Sequence, residues 1–83
     1  MDYKGLIEHI INNAKEYLKE YSKKETLEEI EKGILYGLWM DVDSIKNQLE
    51  IERINGNAQE ASKLENELNL ENLLTELKKI IDD

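Results

Sequence analysis

Residues 26–55 read TLEEIEKGILYGLWMDVDSIKNQLEIERIN, and the pattern in this stretch decides the fold. Leu27, Ile30, Ile34, Leu38, Val42, Ile45 and Leu49 recur at spacings of three or four. At ~100° per residue these seven positions stay within an arc of roughly 120°, so the spacing predicts one amphipathic helix. Thr26 and Glu29 form a T-x-x-E capping box. Glu25, Glu28 and Glu29 place negative charge at the positive end of the helix dipole. A competing reading breaks the helix at Asp41 or Asp43, either one serving as an internal N-cap, with Gly33 and Gly37 easing a kink. The apolar phase runs through that point unshifted, which argues for continuity. The expected helix therefore spans about 26–55, with a length of about 45 Å. Asn55-Gly56-Asn57 closes it, with Gly56 as the left-handed residue after the last turn.

On the N-terminal side, residues 2–21 carry Tyr3, Ile7, Ile10, Ala14, Tyr17 and Tyr21 at alternating spacings of four and three. Leu6, Ile11 and Leu18 flank that seam, and together they predict a first helix with one wide apolar face. Beyond the turn, Ala58, Ala61, Leu64 and Leu68 mark a third helix over 58–68. Leu70, Leu73, Leu74, Leu77, Ile80 and Ile81 mark a fourth over 70–82. If one straight helix ran through both, its two apolar faces would lie roughly 160° apart. A break at Asn69, acting as an N-cap, resolves that conflict. Short connections make sequential helices antiparallel neighbours. The expected fold is all-α: a small antiparallel bundle built on the long central helix, forming a single helical domain over 1–83.

Composition limits what such a domain does. Among its 83 residues, hydrophobic side chains make up 40% and charged ones 36%, with neither cysteine nor proline. Hydrophobic burial must carry the fold, because neither disulfides nor thiolate metal sites are available. The net charge is −8. It is uneven: residues 1–24 hold four acids against five lysines, and residues 25–83 hold fifteen acids against six bases. An acidic surface repels phosphates and anionic lipid, so direct nucleic-acid or membrane binding is not expected. A protein partner with a basic surface is electrostatically favoured. The opening MDYKGLIEHI lacks a basic region followed by an apolar run, so the expected location is cytoplasmic.

Known chemical signatures do not fit. His9 is the only histidine and falls on the polar face of the first helix. Asp41-Val42-Asp43 with Glu52 imitates the ends of a calcium loop, but Ile45 and Lys46 occupy its liganding and glycine positions. There is no P-loop, dinucleotide fingerprint or nucleophile elbow. Ser22, Ser44 and Ser62 have no base beside them. The sequence therefore assigns no catalytic, cofactor-binding or metal-binding residues and points to a protein that is not an enzyme.

One pattern remains. On the central helix, Tyr36, Met40, Ile51 and Ile54 project roughly opposite the main series. Trp39 stands at the border, and Asp43 and Asn47 interrupt the stripe. Two readings compete. Either the third and fourth helices return over this stripe and bury it, with Ile51 and Ile54 meeting the third helix at once, or the stripe stays exposed as a docking patch. Aromatic residues and Met are the types enriched at such patches. The seven residues Tyr36, Trp39, Met40, Asp43, Asn47, Ile51 and Ile54 are the candidate partner-binding set. Gly33-x-x-x-Gly37 beside them suggests tolerated destabilisation or close helix packing, against the first or fourth helix or against another chain. The expected function is a small interaction or regulatory protein that binds a partner, or itself, through the central helix. Homodimer formation is favoured because a ~45 Å helix outruns a ~30 Å neighbour. The alternatives are an acidic inhibitor of a nucleic-acid-binding enzyme, of phage or mobile-element type, and a purely structural dimer module.

Overall fold

The computed structural model describes residues 3–82, and all its regular structure is helical. Four helices follow in order: α1 (Lys4–Tyr21), α2 (Glu29–Glu52), α3 (Ala58–Leu68) and α4 (Leu70–Asp82). They pack as a bundle around α2, in a body measuring 44 × 20 × 17 Å. The expected start of the first helix at Asp2 lies outside the described residues.

The helix α2 is unbroken across Asp41–Asp43. Its inner seam is Glu31, Leu35, Leu38, Val42, Ile45 and Leu49, all buried. The spacings alternate strictly between four and three, the knobs-into-holes repeat. This corrects the first two turns of the expected series. Ile30 is 72% exposed, Ile34 is also exposed, and Leu35 is fully buried in their place. The reason is Glu31. It occupies a seam position yet carries a charge, and the structure neutralises it. Its carboxylate pairs with Lys24 and accepts a hydrogen bond from the Glu28 amide at 2.9 Å. These contacts also move the helix start. The N-cap is Glu28 rather than Thr26, and Glu31 supplies the carboxylate that Glu29 was expected to supply. Lys24 beside Glu31 holds that carboxyl below the usual glutamate range, with the Glu28 amide adding to the effect.

At its other end α2 stops at Glu52, three residues before the expected boundary. Helical backbone continues as one widened turn through Arg53–Asn57, so Arg53 and Ile54 extend the surface of α2, until Gly56 breaks it at φ 100°. The left-handed backbone at Gly56 is the expected one, and glycine adopts it without the steric cost a Cβ would bring. The chain then reverses. Arg53 Nε donates to Ser62 Oγ at 3.1 Å, and the same guanidinium pairs with Glu65 and Glu50. A straight helix would hold positions 53 and 65 about 18 Å apart. Further along, Lys46 pairs with Glu71, and Lys78 Nζ lies 5.3 Å from the centre of the Trp39 ring. As numbers fall along α2 they rise along α3 and α4, so these two short helices form one antiparallel return arm. Asn69 joins them. Its backbone is left-handed at φ 53°, ψ 50°, so it acts as the left-handed cap that ends α3, where a side-chain cap opening α4 was expected. That single residue lets α3 bury Ala61, Leu64 and Leu68 and lets α4 bury Leu70, Leu73, Leu74 and Leu77 against one core. Ala58, at the mouth of the turn, is exposed.

The helix α1 also runs antiparallel to α2. Tyr3 OH donates to Glu52 Oε1 at 2.6 Å at one end, and Lys24 meets Glu31 at the other. Because α1 must face both α2 and the return arm, its buried residues are Ile7, Ile11, Ala14 and Leu18. Ile11 and Leu18 form the centre of the face instead of its flank. The expected seam residues Tyr3, Ile10 and Tyr21 are half-buried on the α2 side, while Tyr17 and the flanking Leu6 are exposed. The phenolic residues lie at the edge, where the ring packs and the hydroxyl reaches polar partners.

Candidate docking face

Both neighbours of α2 pack beside its inner seam. Gln48 and Glu52 mark the α1 flank through their bonds to Tyr3. Lys46, Arg53 and Trp39 mark the flank of the return arm. None of the described elements covers the rest of the helix surface. On it stand Tyr36 at 48% exposure, Met40 at 51%, Ile51 at 49% and Ile54 at 80%. Helical geometry places this outer line roughly 160° from the inner seam. The return arm does not fold over it, and Ile51 and Ile54 do not bury against α3. The reason is visible at Arg53. Ser62 and Glu65 approach its flank of the helix, about 100° from Ile54, and so draw α3 to the side.

Six of the seven candidate residues share this open face with graded exposure, and Trp39 stands at its border with the return arm. Tyr36 and Trp39 rings stack at 6.2 Å with their planes 20° apart. Trp39 is half-buried between Tyr36 and the Lys78 ammonium, an arrangement that fixes the indole by both stacking and cation–π attraction. Asp43 is half-buried and Asn47 exposed in the middle of the line.

Sequence reasoning left out part of this face. Gly33 and Gly37 lie on it, and a Cβ added at either would meet nothing within 4 Å. They do not serve close packing against α1 or α4. Each costs roughly 1 kcal/mol of helix stability relative to alanine without a compensating contact in this chain. Ile30 and Ile34 extend the exposed apolar surface around the N-terminal half of α2. A signal for this was present: Gly33 to Met40 is a run without a charged residue in a chain that is 36% charged.

A concavity lies between α1 and α4, which run parallel and touch only lightly. It encloses about 600 Å³, with Leu18, Leu73 and Ile80 on its floor and Lys15, Lys19, Lys79 and Glu76 around it. Three lysines against one glutamate make it a basic spot on an acidic chain. His9 is exposed on the far side of α1. Among the described residues there is no group of three or more His, Cys, Asp or Glu placed to hold a metal ion. No helix among them is long and apolar enough to cross a membrane. Besides Glu31, the carboxyl held low is that of Glu52, which accepts from Tyr3 OH and from Asn57 Nδ2 at 2.7 Å. The same bond raises the Tyr3 phenol. Both carboxylates tie structural elements together.

Comparison with protein-family models, with curated proteins and with solved structures yields no match for this chain.

Proposed function

We propose that this protein is a non-enzymatic interaction module, and that the outer line of α2 is its docking face. The observation that carries this reading is the group Tyr36, Met40, Ile51 and Ile54, exposed together on a helix face that none of the described elements covers. Large apolar residues grouped along one exposed helix face, here in two patches either side of Asp43 and Asn47, mark interaction surfaces, whereas singly scattered apolar residues need no explanation. The stacked Tyr36–Trp39 pair adds a rigid aromatic anchor, which binds with little loss of side-chain freedom. Asp43 and Asn47 supply polar contacts that orient a partner along the face. The cognate surface is an apolar helix or groove of similar length.

The test is affinity capture with the parent chain and with Met40→Lys and Ile51→Lys variants. Both positions are about half exposed, so helicity by circular dichroism should be unchanged, and capture of a specific protein should fall at least tenfold. Capture that survives both charges would overturn the reading. The charge of residues 25–83 favours a second reading, that of an acidic chain occupying a basic surface. Salt separates the two. Binding through charge weakens steeply as ionic strength rises, and binding through the apolar line does not.

A further inference from the structure

We infer that the occupant of the outer face is a second copy of this chain, with its α2 lying antiparallel across the first about a two-fold axis level with Ile45. This rests on the docking-face reading above and names the partner. The order of residues on the face is its own reverse. Tyr36 and Ile54 lie nine positions either side of Ile45, Met40 and Ile51 five and six, and Asp43 and Asn47 two. A two-fold contact requires self-complementarity, residue i on one copy meeting j while j meets i. Antiparallel pairing about position 45 supplies it: apolar meets apolar at both ends, and polar meets polar in the middle.

The packing is specific. In knobs-into-holes contact, one side chain enters a hole formed by positions i, i+3, i+4 and i+7 of the facing helix. Gly33, Tyr36, Gly37 and Met40 form such a hole, deepened by two residues without side chains. Ile54 of the second copy faces it and is the most exposed large apolar residue among those described. The next hole, Met40, Asp43, Ser44 and Asn47, receives Asn47 of the second copy. There its amide donates to the Asp43 carboxylate. The hole Asn47, Glu50, Ile51 and Ile54 receives Met40. Charge selects the direction. Parallel pairing in register would set Asp43 against Asp43, whereas antiparallel pairing sets each carboxylate against an amide.

The area suffices. With about 150–200 Å² for a fully exposed side chain of this size, the four apolar residues contribute about 400 Å² per copy. Both copies, with the glycine backbone and the side chains of Asp43, Ser44 and Asn47, exceed the ~1,000 Å² that separates a specific interface from a crystal-type contact. An interface of this size is compatible with a dissociation constant in the micromolar range.

The chain has no cysteine, so single introduced thiols report pairing directly. Met40→Cys and Ile51→Cys proteins, one carrying a mass tag, are mixed at about 100 μM, above a micromolar constant, and oxidised. Bridges are identified by mass spectrometry, and light scattering gives the mass of the parent. The expected result is a dimer mass, with 40–51 bridges outnumbering 40–40 and 51–51 bridges at least tenfold. Gly37→Leu fills the hole without crowding its own chain, and should weaken dimerisation at least tenfold while the monomer melts no lower. Predominant 40–40 bridges, a monomer mass for the parent, or a Gly37→Leu dimer of undiminished affinity would each overturn the inference. A monomeric parent whose capture of another protein still depends on Met40 and Ile51 removes the second copy and leaves the docking face standing. Loss of both effects removes both readings.

Discussion

Leu35 and Tyr36 are neighbours in sequence and both carry a large apolar surface, yet one is fully buried and the other about half exposed. They belong to two seams on one helix. The inner seam closes against α1 and the return arm and holds the bundle together. The outer seam has similar spacing and comparable apolar content and is left open by the described residues. The difference teaches that apolar character alone does not place a residue in a small bundle. A central helix with two neighbours can cover only the arc between them, so further apolar residues with helical spacing are surplus to the fold.

The comparison breaks most directly in the core. Leu35→Ala and Leu49→Ala each remove a fully buried side chain and should cost about 2–5 kcal/mol in urea unfolding. Ile34→Ala, one residue from Leu35 and exposed, should cost under about 1 kcal/mol. Equal costs at 34 and 35 would mean the inner seam is assigned to the wrong positions.

The glycines give the next largest effects, with opposite signs. Gly56 has a positive φ, so Gly56→Ala should lower stability by about 1 kcal/mol or more. Gly33→Ala and Gly37→Ala lie in open helical positions and should each raise it by roughly 1 kcal/mol, seen as higher melting temperatures. A loss at 33 or 37 would show that something in the chain packs there.

Acid tests the ties at the edges of the inner seam. Glu31 and Glu52 titrate below the ordinary glutamate range when folded, because of Lys24 and the Glu28 amide in one case and of Tyr3 and Asn57 in the other. The unfolded chain therefore binds more protons as pH falls. The stabilisation is complete well above a pH of about 4.3 and is lost as the pH drops through the lower folded values. Melting temperature should fall between neutral pH and pH ~3. The double variant Glu31→Gln, Glu52→Gln should have a flatter profile.

Much of this organisation was legible in the sequence because periodicity is a local signal. The continuity of α2 through Asp41 and Asp43, the left-handed turn at Gly56 and the break at Asn69 all follow from spacing and residue type. The first two turns of α2 were not legible. Ile34 and Leu35 are both apolar and lie 100° apart, so either could continue the series from Leu38. Glu31 would look misplaced in a core seam until its partner is known, and that partner, Lys24, sits in the loop before the helix. The exposure of the outer line was legible only as one of two outcomes. Which flank the return arm takes depends on contacts such as Arg53 with Ser62 and Glu65, which no periodicity encodes. The graded candidate set was assembled from the wheel, but the role of Gly33 and Gly37 as open surface required the packing to be seen.

The proposed docking role requires the outer seam of α2 to be dispensable for the fold. Its most direct test is the thermal melt of the variant carrying Tyr36→Gln, Met40→Gln, Ile51→Gln and Ile54→Gln, followed by circular dichroism at a concentration low enough for the parent to be monomeric. The account predicts full helicity and a melting temperature within a few degrees of the parent. Loss of helical signal, or a fall as large as that of Leu35→Ala, would place these residues in the core and contradict it.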